Sequence, residues 1–82
     1  MNHIIVFFFA TLRDRAGMRS AHLEIPADAT VANLRAILGR KFLSLSELVE
    51  SSLVAINHEY AFDDSPVPTG AEVALFPAVS GG

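Results

Sequence analysis

Residues 4–9 read Ile-Ile-Val-Phe-Phe-Phe and are β-branched or aromatic at every position. Such side chains favour strands, and a continuous apolar run of this length is typical of a strand that is covered on both faces. The run therefore predicts a central strand. Charge and a glycine interrupt the pattern at residues 13–17, and Ala21, Leu23 and Ile25 then alternate with polar residues. This alternation predicts a second, half-exposed strand that forms a hairpin with the first.

A helix is predicted after a loop at residues 26–29. Thr30 is a suitable N-cap, and the residues that follow it place apolar side chains on one helical face: Val31, Leu34, Ile37 and Leu38. We expect this face to pack on the sheet. Ser44 and Glu47 stand in the relation of a capping box, which predicts a second, shorter helical turn.

The C-terminal half predicts the remaining strands. Residues 53–56 fit a third strand, residues 57–59 a turn, and residues 60–62 a short return strand. The loop at residues 63–70 is rich in the turn formers Asp, Ser, Pro and Gly. Residues 72–76 then fit the last strand.

The order of these elements decides the fold class. A helix between two hairpin-like units predicts an α+β domain in which a mixed sheet packs against one main helix. In such a layout the first and last strands can lie side by side, which is the β-grasp, or ubiquitin-like, arrangement. We assign residues 1–76 to this domain and residues 77–82 to an extended tail that ends in Gly-Gly.

Composition disfavours several classes of function. The 82 residues suffice for one small domain, and the absence of cysteine leaves no disulfide, thiolate site or thiol nucleophile. A net charge of −3 with scattered basic residues argues against nucleic acid as a partner. The longest apolar run, residues 4–10, is too short for a membrane helix, and no basic segment precedes it as in a secretory signal. We therefore expect a cytoplasmic protein without membrane contact.

Hydrophobic residues make up 51% of the chain, so that some apolar surface is expected outside the core, where a protein partner could cover it. No metal site is expected, because His3, His22 and His58 lie on different predicted elements without ligand-like spacing. The pair Asp63-Asp64, beside a serine and a proline, is interpreted as part of a turn.

The six residues of the tail carry no charged side chain and could reach about 20 Å if fully extended. Glycine has no Cβ, so Gly81 and Gly82 minimise the cross-section of the chain and suit a carboxylate that is threaded into a narrow catalytic channel. Small residues at a terminus are often only frayed. The short distance from the last strand and the predicted β-grasp domain favour a function.

The sequence resembles the small subunits of molybdopterin synthase, a family of ubiquitin-like sulfur carriers, over essentially its whole length. Its most specific elements are the run Phe8-Phe9-Ala10-x-Leu12-Arg13 and the end Pro77-x-Val79-Ser80-Gly81-Gly82. The remaining matching segments are Asp14 with Gly17, residues 29–31 with Leu34, residues 55–57 with Tyr60, and residues 72–74. The chain departs from the family at Ala71, where an acidic residue is usual, and at Ala78, where a second proline is usual.

The resemblance implies that Gly82 is the working residue. An ATP-dependent enzyme of the ubiquitin-activating type would adenylate its carboxylate, and a sulfur donor would convert the adenylate to a thiocarboxylate. Pro77, Val79, Ser80 and Gly81 would insert with it into the large subunit of a heterotetramer of two small and two large subunits. There the sulfur would pass to a pyranopterin precursor of the molybdenum cofactor.

The resemblance also implies that the two subunits have different roles. The catalytic lysine and the substrate pocket belong to the large subunit, so this chain would be a sulfur-donating subunit that binds no cofactor, while the adenylating partner uses ATP. An aromatic contact surface for the large subunit is implied on the strands, formed by Phe9, Tyr60 and Phe76 with Arg13 near its edge. Interfaces concentrate aromatics and arginine, although periodicity alone fits core positions for the aromatics equally well.

Three other functions remain open from the sequence. The first is a sulfur carrier for thiamine synthesis or tRNA thiolation, although the thiamine carrier is typically shorter and lacks the run at residues 8–13. The second is a ubiquitin-like modifier that is conjugated to lysines of other proteins through Gly82. The third is a β-grasp interaction module, which should tolerate the loss of Gly82.

Overall fold

The computed structural model describes residues 1–78, which form one sheet and several helices. The helices in this part of the chain are all too short or too polar to span a membrane. Along the chain the elements are β1 (Asn2–Phe8), α1 (Thr11–Ala16), β2 (Ser20–Ile25), α2 (Val31–Lys41), a 3-10 turn (Leu43–Leu45), α3 (Ser46–Ser51), β3 (Leu53–Ile56), β4 (Glu59–Tyr60) and β5 (Glu72–Phe76).

The sheet has five strands in the order β2-β1-β5-β3-β4. β1 and β5 are parallel, and the other three neighbouring pairs are antiparallel. α2 packs its apolar face on one side of this mixed sheet, with Val31, Leu34 and Leu38 buried in the core. The predicted α+β class and β-grasp arrangement are therefore confirmed, including an interior β1 that lies beside the last strand.

The two faces of β1 differ, so the prediction that both are covered is wrong. Ile4, Val6 and Phe8 are buried against the core, whereas Ile5 and Phe7, which point to the opposite face, are only partly buried. The strand also begins and ends earlier than the predicted residues 4–9. Its pairing with β2 starts at Asn2, and the Phe9 carbonyl instead accepts a hydrogen bond from the Leu12 N–H at 3.1 Å at the start of α1.

The connection between β1 and β2 is a helix rather than a simple turn. α1 buries the side chain of Leu12 completely, and Gly17 ends the helix in the left-handed conformation with φ 71°. A glycine adopts this conformation without the steric cost that a Cβ would add. Six residues are too few for a periodic apolar pattern, which is why sequence reasoning missed this helix while correctly pairing the two strands that flank it.

α2 begins as predicted. The Asn33 N–H donates to the Thr30 Oγ1 at 3.4 Å, and the Thr30 N–H donates to the Asn33 Oδ1 at 2.9 Å. These reciprocal bonds form a capping box and satisfy two backbone donors at the start of the helix. α3 also exists, but without the predicted box: it begins at Ser46 with no side-chain cap, and the Ser44 hydroxyl donates to the Arg15 carbonyl instead at 3.4 Å.

Arg35 joins α2 to the second half of the chain. Its guanidinium donates to the carbonyls of Val49 and Ser52 at 2.6 and 2.9 Å and to the Asp63 carboxylate at 3.0 Å. The Asp63 carbonyl accepts a further hydrogen bond from the Ala32 N–H at 3.0 Å. Asp63 thus anchors its loop to α2, which agrees with the interpretation of this acidic pair as structural.

The turn between β3 and β4 holds two residues with positive φ, Asn57 at 49° and His58 at 73°. The return strand is Glu59–Tyr60 instead of the predicted residues 60–62. The turn holds only two residues, so the return strand begins at Glu59, which pairs with Ile56. Asn57 is well suited to its position, since its side chain accepts a hydrogen bond from the Glu72 N–H at 2.9 Å. At the second position of such a turn glycine is strongly preferred.

We expect His58→Gly to stabilise the fold. The substitution removes the cost of a Cβ in the left-handed region, and the greater freedom of glycine in the unfolded chain offsets part of the gain, which leaves about 0.5–1 kcal/mol. Urea unfolding of the two proteins measures the difference. The control is Asn57→Gly, which loses the bond to Glu72 and should not stabilise. An unfolding midpoint of His58→Gly at or below that of the wild type would contradict the expectation.

Candidate functional site

A row of paired residues crosses four strands on the face of the sheet opposite α2. Phe7 of β1 pairs with Ala74 of β5, Ala74 pairs with Ala55 of β3, and Ala55 pairs with Tyr60 of β4. Paired residues on one face lie about 5 Å apart, so the two small alanines lie between two large aromatic rings. The result is a groove with a low floor and aromatic walls.

The groove has a volume of about 480 Å³ and mostly apolar walls. At one end the ring of Phe9 stacks on that of Phe76, with 4.7 Å between the ring centroids and 14° between the planes. At the other end the imidazole of His58 lies 3.4 Å from the Glu72 carboxylate. The lining residues are Phe7, Phe9, Ala55, His58, Tyr60, Glu72, Ala74 and Phe76.

The structure brings together three of the four residues predicted to contact a partner. Phe9, Tyr60 and Phe76 all line the groove, and the side chain of Tyr60 remains 73% exposed. Arg13 is exposed on α1 and does not line the groove. The sequence reasoning missed the other five lining residues: Phe7, Ala55, His58, Glu72 and Ala74. The spacing from Phe9 could have identified Phe7, because side chains two residues apart in a predicted strand share a face.

The tail starts beside the aromatic end of the groove. β5 runs parallel to β1 and ends at Phe76, and the Phe9 N–H donates to the Leu75 carbonyl at 3.2 Å. Pro77 is partly buried and Ala78 is exposed. The remaining residues of the predicted tail, Val79, Ser80, Gly81 and Gly82, lie outside the described residues, and their roles stay predictions.

The chemistry of the groove suits binding rather than catalysis. Within residues 1–78 it is lined by no hydroxyl or amine nucleophile except the phenol of Tyr60, and this part of the chain includes no group of three side chains that could hold a metal ion. The side chains of His58 and Glu72 are 84% and 55% exposed, so water competes for their contact. An apolar floor with aromatic walls and a polar margin is typical of a protein-protein interface.

Comparisons with known proteins agree with this geometry. Residues 6–82 match the model of the ThiS family. The chain is 34% identical over 79 residues to the molybdopterin synthase sulfur carrier subunit of Arabidopsis thaliana, which covers 96% of this chain and 82% of the relative.

Two solved structures are also similar. The crystal structure of small archaeal modifier protein 1 from Haloferax volcanii superposes with a TM-score of 0.84 at 30% identity, covering 96% of this chain and all of that one. A chain in the complex of subunits 1 and 2 of molybdopterin-converting factor from Helicobacter pylori gives a TM-score of 0.69 at 25% identity and covers 98% of this chain and 99% of that one. The chain therefore belongs to the ThiS family, as a relative of the sulfur carrier subunits of molybdopterin synthase.

Proposed function

We propose that this chain is the sulfur carrier subunit of a molybdopterin synthase and that its Gly82 carboxylate carries the sulfur. The observation that carries the proposal is the aromatic groove directly beside the start of the tail. A carrier must dock firmly on a partner and deliver a narrow chain end, free of charged side chains, into the partner's site. In this chain, Phe76 both lines the groove and precedes the tail by one residue.

A carboxylate is a poor electrophile, so Gly82 must first be activated. An adenylating enzyme of the ubiquitin-activating type joins a carboxylate oxygen to the α-phosphorus of ATP and releases pyrophosphate. A sulfide-level donor, hydrosulfide, then attacks the carbonyl carbon, AMP leaves with the electron pair of the broken bond, and loss of a proton leaves Gly82 as a thiocarboxylate. ATP is bound by the adenylating partner, and this chain itself holds no cofactor.

The sulfur then moves to the pyranopterin precursor inside the large subunit. The thiocarboxylate sulfur attacks a carbon of the precursor and displaces an oxygen from that carbon. Water then cleaves the bond between this sulfur and the Gly82 carbonyl carbon. Sulfur stays on the pterin and the carboxylate of Gly82 is restored. Two carriers in succession complete the dithiolene that holds molybdenum. The acid-base chemistry belongs to the large subunit, because the groove beside the tail offers no water-excluded acid or base.

The groove is the surface that docks on the large subunit, in a heterotetramer of two small and two large subunits. The complex of subunits 1 and 2 that contains the similar Helicobacter pylori chain supports a large-subunit partner. The adenylating enzyme contacts the same groove in turn, since both partners must receive the same tail. This exchange takes place in the cytoplasm and involves neither nucleic acid nor a membrane.

The experiment that tests the proposal records the intact mass of the chain after incubation with its adenylating enzyme, Mg-ATP and a sulfur source. We expect the mass to rise by the difference between one sulfur and one oxygen atom. A variant that lacks Gly82 is the control and should gain nothing. An unchanged mass of the full chain, in the presence of an adenylating enzyme that activates another carrier, would overturn the proposal in favour of an interaction module.

A second candidate function is protein modification, which the similarity to a small archaeal modifier protein favours. In that case Gly82 would form isopeptide bonds with lysines of target proteins, and cells would contain a ladder of conjugates. Lys41 is the single lysine of the chain, so Lys41→Arg distinguishes a bond from Gly82 of one copy to Lys41 of another copy from conjugation to other proteins. Carriers for thiamine or tRNA thiolation would give the same thiocarboxylate and differ only in the acceptor of the sulfur.

A further inference from the structure

The positive charges of this chain are unevenly placed. Its net charge is −3, yet five of its six Lys and Arg residues lie at one end of the molecule. We call this region the basic end. All five side chains belong to exposed residues: Arg13, Arg15, Arg19, Arg40 and Lys41.

Contacts between separate segments bring these residues to the same end. α1 follows β1 directly, and the Arg19 carbonyl accepts a hydrogen bond from the Phe8 N–H at 2.8 Å at the end of that strand. α2 ends at the same place, since the ring of Phe42 packs edge-on against that of Phe8 with 5.6 Å between the centroids. β5 is parallel to β1. The tail therefore leaves the sheet at the basic end.

None of the five cations is held by an acidic partner within residues 1–78. The ion pairs in this part of the chain are His3–Glu24, Arg35–Asp63 and His58–Glu72. Two acidic side chains belong to the basic end: Asp14 on α1 and Glu47, which lines the same small depression as Arg15. The end thus keeps an excess of positive charge. The rest of the chain is strongly acidic, which makes the molecule an electric dipole whose positive pole lies where β5 ends and the tail begins.

We infer that the basic end docks on an acidic rim around the opening through which the tail enters its partner protein. The inference rests on the proposed function, because it assumes that a partner protein receives the tail. Complementary charge orients two proteins before they touch and speeds association, and this effect weakens as salt screens the charges. The dipole would bring the carrier to its partner tail first. A nucleic acid fits less well, because a long polyanion would meet the acidic remainder of the chain.

Association rates of the full-length chain with the purified large subunit, measured by stopped flow at low and high NaCl, test the inference. The test variant is Arg15→Gln/Arg19→Gln. The matched control is Ala27→Glu/Ala32→Glu, which makes the same change in net charge at two exposed residues near the opposite end. We expect the test variant to associate about tenfold more slowly at low salt and to lose most of the salt dependence, while the control stays within about twofold of the wild type.

Three results would count against the inference. If both double variants associated equally slowly, the net charge of the chain would control the association rate and the position of the charges at the basic end would not. A wild-type association rate that does not depend on salt would overturn the proposal of an acidic rim, although the two proteins would still bind each other. Salt-sensitive binding of a single-stranded RNA by the wild type, lost in the arginine variant without any change in protein association, would assign the basic end to nucleic acid. A complete absence of binding would instead overturn the proposed function.

Discussion

Ala74→Glu is expected to weaken binding of the chain to the large subunit by more than about 100-fold, because an unpaired charge buried in an interface costs roughly 3 kcal/mol or more. Ala74 lies in the middle of the groove floor, between Phe7 and Ala55. In the free chain the new carboxylate can reach water through the open groove, so the fold should survive. In the complex the same carboxylate would be enclosed by apolar surface.

Titration calorimetry with the purified large subunit measures this loss. The matched control is Ala36→Glu, the same change at an exposed position of α2 on the other side of the sheet. It should leave the affinity within about twofold of the wild type, as is usual for a surface substitution. Retained binding by Ala74→Glu with an unchanged circular dichroism spectrum would show that the partner docks elsewhere.

Phe8→Ala is expected to remove a large part of the stability of the fold. The Phe8 side chain is 2% exposed and packs edge-on against Phe42, and removing a buried phenylalanine ring costs about 3–5 kcal/mol. The total stability of a domain of 82 residues is only about 4–12 kcal/mol. We therefore expect the thermal midpoint to fall by about 15 °C or more.

Phe7→Ala provides the comparison, because the same side chain is removed one residue earlier. Phe7 faces the groove and is only partly buried, so its loss should destabilise the free chain far less than the loss of Phe8. It should instead weaken docking of the groove on the large subunit. Equal destabilisation by the two substitutions, measured by thermal unfolding, would contradict the assignment of the two faces of β1.

Much of the fold could be predicted from the sequence because several local signals agree. Thr30 marks the start of α2, the apolar spacing from Val31 to Leu38 marks its buried face, and the structure confirms both. The order of strands and helix then restricts the sheet to few topologies. Short elements were predicted less well: α1 has one buried anchor, Leu12, and a capping-box pattern at Ser44 gave way to a hydrogen bond with Arg15.

The groove shows the limit of reasoning from composition. An apolar residue that faces a partner and one that faces the core are alike in sequence, which is why the run at residues 4–9 predicted cover on both faces. Ala55 and Ala74 could not be chosen from the sequence, because their importance comes from the register that places them between Phe7 and Tyr60. Phe9 and Phe76 were identified through the family resemblance, and the structure adds that they stack on each other.

The position of β5 has a mechanical consequence. β5 is hydrogen-bonded to β1 on one side and to β3 on the other, and the tail continues from its end. A force that pulls on the tail therefore acts along a strand that is gripped from both sides. It must shear both ladders at once, whereas an edge strand would peel away one bond at a time. In the function proposed above, a pull on the tail as it enters or leaves a partner would therefore be borne by both ladders of the sheet.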